Sequence, residues 1–215
     1  MAQTPFHALK RLAALGALVA AATSCGDVVR SSSAPVLLVI NQLEASPGGG
    51  HGAGQFSGFL LSDVQVLLTS PAPCTPAAPC PTIYDDTGQA LLSLAPKDIG
   101  TATTPTTPST NNQVTINRVH VKYVRADGLN TQGVDVPYEF DGAATGTVPQ
   151  NGQATLVFEL VRHEAKSEPP LLALVYDGQI ITTIAQVTFY GTDLVGNEVS
   201  ATGTIQVNFG NFGDS

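Results

Sequence analysis

Apolar and polar residues alternate one by one along several stretches of the chain, a period that fits strands and not helices. In TINRVHVKYVRAD, residues 115–127, Val119, Val121 and Tyr123 fall on one face, while Arg118, His120 and Lys122 fall on the other. That predicts a half-buried strand with one wet side. GQATLVFELVRHE, residues 152–164, repeats the pattern. Leu156, Phe158 and Leu160 point inward, and Thr155, Glu159 and Arg162 are candidates for the outer face. Further strands are expected in VLLVINQL after Pro35, in FSGFLLSDVQVLL (56–68, one or two strands with Asp63 at the break) and in QALLSLAP (89–96). Asp85-Asp86-Thr87-Gly88 reads as a turn in front of the last of these. EPPLLALVYD, 168–177, is too short for periodicity to decide between a strand and a short helix crossing between sheets.

Turn-forming residues punctuate these runs. SPGGGHGAG, 46–54, is a mobile loop by composition. TATTPTTPSTNN, 101–112, is too polar and Pro-rich for packed core. We read it as a long loop inside one domain, because about three strands before it would make a poor independent core.

The last third carries the clearest fold signal. In IITTIAQVTFYGTDLVGNEVSATGTIQVNFG, Val187 and Phe189 alternate before a turn, and Ile205, Val207 and Phe209 alternate after it. Asp193 to Asn197 supply the turn, with Gly196-Asn197 suited to positive φ. This hairpin resembles the closing strands of bacterial immunoglobulin-like and fibronectin-III-like domains, specifically over about 180–209, more loosely back to 113, and only in architecture before that. The inter-sheet disulfide and buried tryptophan of antibody domains are absent. The expectation is an all-β, immunoglobulin-like Greek-key sandwich of about eight or nine strands over 34–210, with at most a short helix.

The chain's first segment follows a different logic. Lys10 and Arg11 precede an uncharged Ala/Leu-rich run from Leu12 to Ala22, then small residues, then Cys25. A basic start, a short apolar run and a small-residue cleavage zone define a secretory signal, and the run is too short to span a bilayer. Ala22-Thr23-Ser24-Cys25 resembles the lipobox of bacterial lipoproteins, although that family prefers Leu at the first position and Gly or Ala at the third. The resemblance implies cleavage after residue 24, lipid attachment at Cys25, a tether over 25–33 and residence in the cell envelope. No aspartate directly follows Cys25, so the outer membrane is favoured where the cell has one. The whole chain resembles lipoproteins predicted from bacterial genomes, a family that carries no assigned activity.

Removing residues 1–24 takes away two of nine basic residues and none of the 17 acidic ones, leaving a net charge of −10. That disfavours nucleic acid, which needs clustered Lys and Arg, and offers no basic patch to anionic lipid. The core must come from Val, Leu and Ile, since tryptophan is absent and aromatics are few. Tyr123, Tyr138, Phe140, Tyr176 and Tyr190 are each expected in or near the core.

Candidate chemistry is sparse. Cys74 and Cys80, in PAPCTPAAPCP, are expected to form a disulfide stapling the loop 70–82, because export places them in an oxidising compartment. Neither metal-ligand spacing nor a Cys-x-x-Cys redox pair is present. His7 leaves with the signal, His51 sits in the glycine loop, His120 on a wet strand face and His163 at a strand end beside Glu164. No catalytic motif accompanies them, and a non-catalytic protein is expected. Calcium is a candidate ligand at Asp127, Asn130 and Asp135, since Ca²⁺ takes clustered oxygens; the competing reading is that turns use the same residues without metal. The expected role is a surface module for a protein or envelope partner.

Overall fold

The structure is a computed structural model and describes residues 34–213. Its strands are β1 (Val36–Ser46), β2 (Phe59–Asp63), β3 (Val66–Leu68), β4 (Cys80–Thr82), β5 (Asp86–Pro96), β6 (Gly100–Thr101), β7 (Thr104–Pro105), β8 (Val114–Val124), β9 (Phe140–Gly142), β10 (Gly146–Val148), β11 (Gln153–Val161), β12 (Ile181–Asp193) and β13 (Glu198–Gly210). Two four-residue helical turns, α1 (His163–Lys166) and α2 (Leu174–Asp177), interrupt them. EPPLLALVYD is therefore helical, with a 3₁₀ turn at Leu171–Ala173 leading into α2.

Nine strands build two sheets. One is β1-β5-β11; the other is β10-β8-β12-β13-β2, with β9 pairing β8 beside β10. The remaining four make two small ribbons, β3-β4 and β6-β7. The molecule is an all-β sandwich, as the alternation predicted. β5 and β11 are neighbours although β6 to β10 separate them in sequence and β8 to β10 lie in the other sheet, so the chain crosses between sheets in Greek-key fashion. β2 runs parallel to β13.

The inward faces carry the residues the pattern selected. Val119, Val121, Tyr123, Leu156, Phe158, Leu160, Val187, Phe189, Ile205, Val207 and Phe209 are all buried. Phe158 meets Phe189 edge-on at 5.2 Å and Tyr123 meets Phe209 at 5.5 Å, a favourable geometry for aromatic pairs. The buried phase of β8 switches between Ile116 and Val119. The register against β12 shifts at the same place, so a bulge at Asn117 re-aims the strand by one residue.

One expectation is corrected. Asp85 to Gly88 is not a turn, because β5 already begins at Asp86. Asp86 and Gly88 share the inward phase of Ala90 and Leu92. A Cβ on Gly88 would come within 2.3 Å of the Phe158 ring, so this glycine makes room for an aromatic across the strand pair.

Strand register sorts the loops into two ends. Val36 pairs with Pro96, Ser93 with Gln153, Val114 with both Val148 and Asp193, and Thr192 with Glu198. These pairs define one end, here the root, where the described chain begins at Ala34. The segments 97–113, 149–152 and 194–197 turn there. Ser46 pairs with Thr87, Val161 with Asp86, Val124 with Ile184 and Asp63 with Gly210. These define the opposite end, the crown, which carries 47–58, 64–85, 125–139, 162–180 and 211–213. The 13 residues of β12 separate the two ends by ~40 Å.

Candidate functional site

Among the described residues every long irregular segment except 97–113 belongs to the crown, and a buried polar knot underlies it. Asp86, the first residue of β5, is 1 % exposed, and so is Lys166 of α1. Lys166 Nζ lies 2.8 Å from Asp86 Oδ2. The hydroxyl of Ser62, buried in β2, donates to the same oxygen at 2.6 Å. The backbone N–H of Gly48 donates to Asp86 Oδ1 at 3.0 Å. One carboxylate thus ties strands of both sheets to α1 and to the glycine loop. Burial pushes the Asp86 carboxyl above the usual carboxylate range, against the pull of Lys166 and its hydrogen bonds. Gly48 is required by closeness, since a Cβ there would sit 1.8 Å from the Asp85 carbonyl oxygen. The start of the glycine loop is therefore docked and not free.

Tyr123 reinforces the base of the crown. Its hydroxyl donates at 2.6 Å to the carbonyl of Leu160 in the facing sheet, and burial drives its pKa upward.

Above the knot the groups are solvent-facing. His163 packs its Nδ1 3.0 Å from Asp85 Oδ1 and its Nε2 3.4 Å from Glu164 Oε1. The Ser167 hydroxyl donates to the His163 backbone carbonyl and not to its ring. His120, on the outer face of β8, lies 3.2 Å from Asp141 Oδ1 and 3.9 Å from Glu139 Oε2. Both imidazoles are thus flanked by carboxylates. His51 lines a cleft with Leu61, Asp63 and Phe212.

Arg162 stacks over the Phe140 ring at 4.5 Å, and its buried Nε has no hydrogen-bond partner. It lines a cleft of about 330 Å³ with Tyr138, Glu164, Glu168 and Pro169. The aromatics divide differently from the expectation. Tyr123 and Phe140 are buried, Tyr190 lies on the outer face of its sheet under Arg118, and Tyr138 and Tyr176 are exposed. Tyr176 is 89 % exposed at the crown.

The structure places the other candidates as follows. Cys74 and Cys80 form a disulfide, with Cα atoms 5.3 Å apart, at the crown. Asp127 pairs with Arg125 and accepts the Leu129 N–H; Asn130 Oδ1 accepts the Arg125 N–H at 2.6 Å; Asp135 Oδ2 accepts the Thr131 N–H at 3.0 Å. Their oxygens serve the loop's own backbone. Among the described residues no group of three or more His, Cys, Asp or Glu side chains is gathered as a metal requires. Cys25, with the expected signal and tether, lies outside the described residues. No helix among the described residues is long and apolar enough to cross a membrane.

The Ser62–Asp86–Lys166 knot is absent from the sequence-derived candidates. Its one sequence signal is phase: Ser62 shares the inward parity of Leu60, and Asp86 that of Ala90 and Leu92. A polar residue on an inward phase calls for a buried partner.

No family model matches the chain, and no curated protein and no solved structure matches it.

Proposed function

We propose that this is an exported, lipid-anchored β-sandwich of the immunoglobulin-like kind, a non-catalytic module of the cell envelope that presents its crown to a protein or envelope partner. Cys25 is the lipid-carrying residue in this reading. The observation that carries it is the sorting of loops by register. The chain begins its sandwich at the root, while the stapled loop, the glycine loop, 125–139 and the helical crossover all gather at the far end. Loops held by a rigid scaffold are where binding residues concentrate. The crown loops carry Asp85, Asp127, Asp135, Glu139, Glu164, Glu168 and Asp177 against Arg125, Arg162 and the buried Lys166, so the surface offered is acidic and suits a basic partner. A disulfide at the crown agrees with life outside the cytoplasm.

The test is affinity capture from solubilised envelope, comparing the parent with a Tyr138→Ala/Tyr176→Ala variant and with a Thr106→Ala control at the root. Capture of a specific component that the crown variant loses and the root control keeps is the expected result. Background recovery for all three, across detergents, would contradict the proposal.

A further inference from the structure

The root has a composition opposite to the crown's. Its connecting segments, 97–113, 149–152 and 194–197, contain Lys97 and Asp98 as their only ionisable residues. From Ile99 to Asn117 the chain carries no charge at all, and it is built mainly of Thr, Ser, Asn, Pro and Gly. The flanking Asp193 is turned inward: its carboxylate accepts the N–H groups of Val195 at 3.0 Å and Asn197 at 2.8 Å and the Asn197 side-chain amide at 2.8 Å. Glu198 remains exposed. Large aliphatics stand outward on this nearly neutral end. Ile99 is 75 % exposed, Val195 69 % and Leu194 58 %.

We infer that the root is a bilayer-facing surface, with Ile99, Leu194 and Val195 resting in the lipid interface; this rests on the reading of Cys25 as the lipid anchor. Chain length selects the occupant. Eight residues, 26–33, lie between Cys25 and Ala34, so the nine Cα–Cα steps reach only ~30 Å even when fully extended. An upside-down domain would hold Ala34 ~40 Å from the membrane, the length of β12, which the tether cannot span. The root is the end a lipid at Cys25 draws to the membrane. Its low exposed charge, confined to Lys97, Asp98 and Glu198, lessens the desolvation cost that a highly charged surface would meet there, and its aliphatic tips are the groups that enter the headgroup–acyl boundary favourably. The acidic crown, by the same geometry, points away.

The experiment uses the mature lipidated protein, residues 25–215, in phosphatidylcholine vesicles containing nitroxide-labelled phosphatidylcholine. A single free thiol is introduced as Ile99→Cys, Val195→Cys, Val134→Cys or Tyr176→Cys and carries a fluorophore. Intact mass of the same samples reports whether Cys25 is acylated. With Cys25 acylated, fluorescence at 99 and 195 is expected to fall roughly twofold or more against unlabelled vesicles, as insertion by ~5–10 Å demands, while 134 and 176 stay unchanged. Acylated protein with no quenching at 99 and 195, or with equal quenching at all four positions, would overturn the inference and leave the anchor standing. Unacylated Cys25 and no vesicle association would overturn both.

Discussion

At the residue scale, the knot around Asp86 makes the sharpest claims. Lys166 and Asp86 are both 1 % exposed, and removing one member of a buried pair strands the other charge. Lys166→Met is expected to cost ~3–5 kcal/mol in chemical denaturation. Combining it with Asp86→Leu should recover ~1–3 kcal/mol relative to the sum of the single changes. Strict additivity would mean the two groups do not act as a pair. The pH dependence has a definite sign. A carboxyl whose folded-state pKa lies above its unfolded value holds its proton more tightly when folded. Its contribution to stability therefore falls as pH rises from the ordinary 3.8 through the raised value. The stability advantage of the parent over Asp86→Asn is expected to shrink across that window. An advantage that grows with pH would show that attraction to Lys166 outweighs burial.

At the scale of elements, β5 shows where pattern reading works and where it stops. The long alternations of β8, β11, β12 and β13 were legible because each has several apolar residues in one phase, which only a strand accommodates. The first three residues of β5 were not. Asp and Gly there resemble turn chemistry, and nothing local reveals that Lys166 will neutralise one and Phe158 occupy the space beside the other. The knot joins Asp86 to Ser62, 24 positions before it, and to Lys166, 80 positions after it, so it exists only after both sheets have closed. The bulge at Asn117 is likewise a product of pairing with β12. Gly88→Ala tests this account of β5. It is expected to destabilise by ~1–3 kcal/mol through overpacking, with Phe158→Leu in the same chain relieving part of the loss. If Gly88→Ala is neutral in thermal melts, the glycine is not a spacer for the ring. The staple on the 64–85 segment is a separate element. Reducing Cys74–Cys80 should cost at most ~2 kcal/mol, since the closed loop is short. It should raise protease cleavage within 70–82 while leaving the sandwich intact, and cooperative unfolding of the whole domain on reduction would contradict that.

At the scale of the whole molecule, two ends of unlike chemistry are separated by the length of the strands. The crown collects the disulfide, the acidic loops, His163 and the exposed Tyr138 and Tyr176. The root is nearly free of charge and lies next to the start of the described chain. Neither end was visible along the sequence, because each is assembled from segments far apart that register alone brings together. The proposed anchor motif, by contrast, is a contiguous run of residues, the form a signal needs if it is to be read before folding. The polarity of the molecule has a functional sense only if Cys25 is the point of attachment. Intact-mass analysis of the protein from the membrane fraction measures this most directly. The account predicts a chain that begins at Cys25 and carries the added mass of acyl groups. A chain that keeps residues 1–24, or one with an unmodified Cys25, would contradict it.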